Sequence, residues 1–507
     1  MINSLDQLEQ FIQFQIETKN FELALESIKD FVERVVFCPW VTGDVLSSPL
    51  LDELNQKIGK EICNTQNPTL YNYKPQKNVE VYIVTQLYTS GGHTAVIEDL
   101  IQAQPTKKHI ILLTDIFDFK QKDSIKKRFE DSSAMLIWAP PISLTEKVNW
   151  LREQIHHFSP QRLSILAHHQ DSVAIAALQP DLPSECFFWH LADHHLCLGV
   201  HIPHFIHIDS HPMGFYNCCN KLGIKNNLYL PIVTKDLGTR PEKSPFLSDG
   251  KLITCSSGSA NKFETPYLYQ YVEIIPQVLK KTEGKHIHIG PLSQKSLDLI
   301  HNGLKYLSRP KESFIHIPWV QSVWKSLIEQ KVDLYITSFP LGGGKAGIEA
   351  MGSGIPIAVH SNYKSQLLGG ECFIYPQRFC WRKPQQLLDY ISNLSPSILK
   401  EQSSFARKHY EDYHRPEILE NELNKDVKDM KVLTPPHLPD FNPDKLQIAF
   451  DLSIKIKELE SKITVLTIGN DQALSILNST SWRITAPLRQ LKEFYNSLKI
   501  RGLPKSD

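Results

Sequence analysis

Between residues 5 and 36 the apolar positions Leu8, Phe11, Ile12, Phe14, Leu23, Leu25, Ile28, Phe31 and Val35 recur three and four residues apart. That spacing predicts two amphipathic helices, within a helical N-terminal element spanning residues 1–75. Turn chemistry at Asn67-Pro-Thr and Lys74-Pro-Gln follows, and Val79 to Thr85 then alternates as a strand does. Further short apolar runs lie at His109–Leu113, Ala134–Trp138, Leu163–Leu166, Cys186–Trp189, Phe205–Ile208 and Leu228–Val233. A second series comprises Leu252–Cys255, His286–Ile289, Phe314–Ile317, Leu334–Thr337, Pro356–Val359 and Cys372–Tyr375. Ten or more residues separate most runs, room for crossover helices, so the rhythm is that of parallel doubly wound sheets. Two α/β domains are therefore expected, at 76–240 and 250–425, divided by the polar stretch from Lys235 to Lys251.

Past Tyr390 the pattern turns helical, and Pro435-Pro-His-Leu-Pro with Pro443 makes a stiff linker. In the tail, 444–507, Leu452, Ile456, Leu459, Ile463 and Leu466 step by four and three, a short heptad seam. Arg483 to Lys505 then carries six basic residues and one acidic residue, with Leu488, Leu491, Tyr495 and Leu498 on one face. A solvated terminal helix or peripheral docking on an anionic membrane surface both fit that composition.

The length of 507 residues excludes a single small binding module. Lys+Arg 55 against Asp+Glu 55 leaves no net charge, so no electrostatic drive toward nucleic acid exists and no nucleic-acid partner is expected. No apolar run approaches the ~18 residues of a membrane span, and the first residues carry no signal-peptide pattern. With nine irregularly spaced cysteines, the expected setting is the reducing cytoplasm, with the inner membrane face as the alternative.

Chemistry concentrates in Phe339-Pro-Leu-Gly-Gly-Gly-Lys-Ala-Gly-Ile-Glu-Ala-Met-Gly-Ser-Gly-Ile-Pro-Ile-Ala-Val-His360. Six of the 23 glycines fall between Gly342 and Gly354, directly after a predicted strand and at the mouth of a predicted helix. Small residues there let an anion reach free N–H groups while the macrodipole favours its charge, and Lys345 adds a cation. The spacing matches neither GxxxxGK[ST] nor GxGxxG. A second concentration is histidine: His190, His194, His195, His201, His204, His207 and His211 lie within 22 residues. His190 and His194 are four apart, but His-Leu-Ala-Asp-His lacks the HExxH glutamate and no cysteine has zinc-site spacing, so no metal is expected. Asp193-His194-His195 follows a predicted strand at the carboxyl edge of the sheet, where open α/β domains bind ligands. His194 is the expected base, oriented by Asp193, with His195 as the substitute.

The glycine-rich segment resembles the donor-binding motif of GT-B glycosyltransferases, which implies two Rossmann-like domains facing a cleft and a nucleotide-sugar donor. By that resemblance Gly343, Gly344, Lys345 and Gly347 face the diphosphate and Glu349 the ribose. Retaining members with two glutamates eight positions apart would place the earlier one at 341, which is Leu341; the turn is closer to the O-linked N-acetylglucosamine transferase type, which implies UDP. Leu252 to Lys262 is similar to the opening strand and loop of the donor domain, with Lys262 at the diphosphate. Val81 to Thr94 resembles the loop that meets the donor from across the cleft, through Gly91, Gly92 and His93. Asn478 to Arg489 resembles a tail motif of bacterial surface-polysaccharide glycosyltransferases. These resemblances imply a metal-independent, cofactor-free enzyme that moves a hexosyl or N-acetylhexosaminyl group to a surface glycan. Three other readings stay open: transfer to a protein acceptor, a metal-dependent phosphoesterase built on the histidines, and a catalytically silent scaffold.

Overall fold

The computed structural model describes residues 4–38, 41–65, 73–89, 91–191, 193–430, 433–438 and 444–478. The chain divides into two compact units, Met1–Phe441 and Asn442–Asp507. The first opens with helices Leu5–Glu17, Phe21–Val36 and Pro49–Asn64. Their stripes, Leu8, Ile12, Leu25, Ile28, Val32, Leu54 and Ile58 among them, are buried together with Val81 and Ile83 of the first sheet. The N-terminal helices thus share a core with the sheet beside them.

That sheet has seven parallel strands: β1 (Gln76–Val84), β2 (Lys108–Leu113), β3 (Ala134–Trp138), β4 (Pro160–Leu166), β5 (Glu185–Trp189), β6 (Phe205–Asp209) and β7 (Asn227–Tyr229). Their spatial order is β3-β2-β1-β4-β5-β6-β7. The second sheet has six: β8 (Ile253–Ser257), β9 (Lys285–Ile289), β10 (Phe314–Ile317), β11 (Leu334–Ile336), β12 (Ile357–His360) and β13 (Phe379–Trp381), in the order β10-β9-β8-β11-β12-β13. All register pairs are parallel, for example Val81 with Ile110 and Leu163, and Tyr335 with Ile357 and Cys255. Near-continuous apolar runs such as Ile110–Leu113 are what strands covered on both faces require. In both sheets the strand order reverses beside the first strand, β1 or β8, which puts the ligand-binding edge at the carboxyl ends around it.

Two expectations change. Cys372–Tyr375 is not a strand: Glu371–Phe373 is a short 3-10 turn, and the edge strand is β13. Gly370 precedes that turn at φ +67°, a left-handed residue that breaks extended pairing; the apolar run is buried by packing in a loop. The expected second-domain range also ends differently, because helix Pro416–Leu423 buries Leu419 and Leu423 in the first domain's core. Arg162 and Gln104 of that domain both donate to the Leu423 carbonyl, at 2.8 and 3.2 Å.

In the second unit Lys445–Asn478 is one 34-residue helix. Its seam residues Ile456, Leu459, Ile463 and Leu466 are exposed. The basic segment from Arg483 and nearly all of the Asn478–Arg489 motif lie outside the described residues. Among the described residues, no helix is long and apolar enough to cross a membrane.

Candidate functional site

A cleft of about 190 Å³ opens between the two sheets at their carboxyl edges. One wall comes from the first domain: His190 and Leu191 after β5, Asp193 and His194, then Ser210 and His211 after β6, and Ile232. The other comes from the second domain: Lys262, the turn Leu341 to Gly344, Leu367, Leu368, Gly370 and Phe373. The histidine loop and the glycine-rich turn, some 150 residues apart in sequence, therefore face one another.

The turn is glycine for steric reasons. A Cβ on Gly342 would lie 2.0 Å from the Gly369 carbonyl oxygen, and one on Gly343 would lie 2.6 Å from Lys262 Nζ. Gly343 caps the helix Gly344–Gly352 with an extended backbone, so the first N–H groups of that helix, which have no intrahelical partner, begin at the cleft wall. Lys262, on helix Ala260–Glu264 after β8, brings its ammonium to the same turn. Burial lowers its pKa, and no carboxylate pairs with it among the described residues. A half-buried cation thus stands beside a helix N-terminus, where the lysine charge and the helix dipole both favour negative charge.

Other residues of the motif have different neighbours. Lys345 does not offer its charge to the cleft: Nζ pairs with Asp99 and donates to the Val233 carbonyl at 3.1 Å, tying the two domains together. Burial pushes the Asp99 carboxyl up to about 6 even with Lys345 beside it. Gly347 is buried, where a Cβ would lie 2.8 Å from Ile374 Cδ1. Glu349 Oε2 accepts from Trp324 N at 3.1 Å, and burial raises its pKa, opposed by the charge of Lys345.

Across the cleft, Asp193 is buried and accepts from His211 Nδ1 at 2.6 Å, while His194 Nδ1 stands 3.6 Å from its other oxygen. Burial alone would raise the Asp193 pKa, but the adjacent His211 and His194 hold it below the usual carboxylate range. Asp193 thus orients His211 more tightly than the expected His194. The His211 ring stacks on Phe373 with centroids 4.3 Å apart, and its Nε2 meets Cys372 Sγ at 2.8 Å. His194 remains the open ring, with a side-chain exposure of 37%. His195 is turned away against His169, its pKa lowered to about 3 by burial and by His194.

The loop holding these groups is fastened by the N-terminal helices. Asp52, on helix Pro49–Asn64, accepts from Gly199 N at 2.6 Å and His201 N at 2.8 Å, and Gly43 N donates to the His194 carbonyl at 2.7 Å. Gly91 and Gly92 start helix Gly92–Gln102 with open space where side chains would be. His93, expected at donor or acceptor, is instead turned inward. Its Nε2 lies 2.8 Å from the Leu166 carbonyl and its ring meets His168 edge-on; burial lowers its pKa.

Sequence reasoning missed His211 as the close partner of Asp193, and missed Phe373 and Ser210. His211 directly follows a strand on the same sheet edge, the signal that had singled out Asp193. Phe373 carried no signal, because only the tertiary fold brings it over the imidazole.

Solved structures with this arrangement of two sheets share the architecture. HepE of Anabaena, in complex with UDP and glucose, superposes with a TM-score of 0.50 at 12% identity, covering 68% of this chain and 98% of that one. The fold is GT-B. A glycosyltransferase from Rickettsia africae gives a TM-score of 0.53 at 12% identity over 70% of this chain and all of that one. A TarM variant of S. aureus, in complex with Fondaparinux, alpha-GlcNAc-glycerol and UDP, gives 0.52 at 13% identity over 68% and 99%. No protein-family model and no curated protein sequence matches the chain. The cleft between the two sheets of this fold is lined by Lys262, the glycine turn and the histidine loop.

Proposed function

We propose that this chain is a metal-independent glycosyltransferase that transfers a hexosyl or N-acetylhexosaminyl group from a nucleoside-diphosphate sugar, UDP in the first instance, to a glycan. The observation that carries the proposal is the free ammonium of Lys262 against the Gly343–Gly344 helix start, facing Asp193 and His194 across one cleft. Lys262 and the helix N–H groups neutralise charge that grows on the β-phosphate as its bond to the sugar breaks, which is the way such sites lower a barrier.

His194 takes the proton of the acceptor hydroxyl as that oxygen bonds the anomeric carbon. Its ring faces open space, whereas both nitrogens of His211 are engaged by Asp193 and Cys372. His211 therefore acts as a positioning group beside the cleft. Glu349 is the candidate for the ribose, provided its bond to Trp324 N yields on binding. HepE, solved with UDP and with UDP-glucose, and TarM, solved with UDP and a glycan, support the choice of UDP and of a sugar acceptor. A growing cell-surface polysaccharide is the expected acceptor, reached from the cytoplasmic side.

The test is thermal stabilisation by UDP, GDP, CMP and dTDP, on wild type and on Lys262→Ala. A ligand present at a hundredfold over its dissociation constant adds about 2.7 kcal/mol. Selective stabilisation by UDP that is lost in Lys262→Ala is the expected result; indifference to all four nucleotides would overturn the reading.

A further inference from the structure

Behind the first domain's wall of the cleft, and reaching it through His190, lies a group that no step above uses. His190 follows β5, His207 and Asp209 belong to β6, and Cys218 is on helix Pro212–Asn220. All four are at most 2% exposed. One potential ligand atom from each lies within 4.8 Å of all the others. We propose that His190, His207, Asp209 and Cys218 form a closed site for one divalent transition metal, zinc by donor type, which fastens the strand ends carrying Asp193 and His211. The proposal does not depend on the glycosyltransferase reading.

Geometry is the first argument. His190 Nδ1 stands 3.2 Å from Asp209 Oδ1 and 3.5 Å from Cys218 Sγ, and Sγ stands 3.7 Å from that oxygen. His207 Nδ1 is 3.5 Å from the other Asp209 oxygen. A tetrahedral zinc with ordinary bond lengths has ligand-to-ligand edges of about 3.3–3.6 Å; the His190, Asp209 and Cys218 atoms stand close to those edges, and the His207 ligand atom lies within 4.8 Å of each. The same atoms also lie within hydrogen-bonding distance of one another, and His207 Nδ1 stands 3.1 Å from Asn227 Oδ1, a contact it would exchange for the ion.

Chemistry is the second argument. Two imidazoles, a thiol and a carboxylate form a mixed N, O and S set that suits zinc and its spectroscopic surrogate cobalt, and excludes magnesium or calcium, which require oxygen ligands. An outer shell is also built: Asn227 Nδ2 donates to Asp209 Oδ2 at 2.8 Å, holding the carboxylate as metal-binding carboxylates are held. Because all four positions come from protein and none faces solvent, the site is structural. It leaves no open position for a hydrolytic water, which sets it apart from the phosphoesterase reading. It also involves different residues from the His190–His194 spacing in the sequence: only His190 is common to both. On binding, the Cys218 sulfur exchanges its proton for the metal and the proton goes to solvent.

The experiment uses the full chain, purified without a metal-affinity tag, stripped with chelator and titrated with zinc and with cobalt. One equivalent of zinc should bind and raise the unfolding midpoint, and cobalt should give the charge-transfer absorption of a metal–thiolate bond. Cys218→Ser should abolish that absorption and weaken binding at least a hundredfold. Because a thiol proton is displaced, wild-type affinity should rise about tenfold per pH unit below the thiol's titration range. This measurement stands even if the variant does not fold. No saturable binding of either metal, a thiolate band that survives in Cys218→Ser, or affinity independent of pH would each overturn the proposal.

Discussion

Gly342 and Gly343 are adjacent, yet an alanine would do different things at each. At Gly342 the new methyl meets backbone, the Gly369 carbonyl oxygen, at 2.0 Å, so the turn itself has to move. Overpacking of that kind costs about 1–3 kcal/mol, and Gly342→Ala is expected to lower the unfolding midpoint. At Gly343 the methyl meets only the far end of the flexible Lys262 side chain, and the backbone there is already extended. Gly343→Ala should leave the midpoint nearly unchanged while displacing the ammonium, so calorimetry would show weakened UDP binding without lost stability. Lys262→Ala should raise the UDP dissociation constant on the order of 10- to 100-fold, the worth of a charge-assisted contact. Equal affinity in wild type and Lys262→Ala would remove the lysine from the site. At this scale the sequence was partly readable. The glycine cluster does lie between a strand and a helix, and Lys262, named by the resemblance, stands with its ammonium at Gly343. The roles of Lys345 and His93 were not readable, because their partners, Asp99 and the Leu166 carbonyl, are 246 and 73 residues away.

Periodicity recovered the elements because a buried parallel strand must be apolar over its length, and twelve of the thirteen strands stand where such runs occur. The remaining strand is β13, and the run that is no strand, Cys372–Tyr375, shows the limit: hydrophobicity reports burial, and burial in a packed loop looks the same. What an element is for needs tertiary contacts, as helix Pro49–Asn64 illustrates. Its Asp52 binds two backbone N–H groups of the loop that follows His195, and burial pushes its carboxyl up to about 7 despite those bonds and the charge of His207. The folded state therefore holds the Asp52 proton more tightly than the unfolded chain, and unfolding releases it between about pH 4 and pH 7. Stability contributed by this group is greatest below the unfolded pKa and declines as pH rises toward 7. Asp52→Asn cannot ionise, so its unfolding free energy should fall less steeply across that window than wild type's. The difference in slope should amount to a few kcal/mol in total. Parallel slopes in denaturant titrations at pH 4.5 and 7 would remove Asp52 as the source. Hydrogen exchange of one of the two amides, Gly199 or His201, should also quicken in the variant, since asparagine keeps one acceptor oxygen and replaces the other with a donor.

For the whole molecule, the decisive element is the chain's return to its first domain. After completing the second sheet, helix Pro416–Leu423 buries Leu419 and Leu423 against the first domain, with the Leu423 carbonyl held by Arg162 and Gln104. Nothing local marks that crossing, because an amphipathic helix reads the same whichever domain receives its apolar face. Two truncations separate the two compact units from this strap. A chain ending at Phe441 keeps the whole first unit; it should unfold with an unchanged midpoint and bind UDP as the full chain does. A chain ending at His414 loses two leucine anchors, each worth about 1.5–3 kcal/mol of burial, and removes the Leu423 carbonyl that accepts from Arg162 and Gln104. Its midpoint should drop by several degrees, with UDP response falling in step as the cleft loses the clamp between its walls. If instead the chain ending at Phe441 melted early, the helix Lys445–Asn478 would have to stabilise the first unit, and the strap alone would no longer explain how the cleft is held.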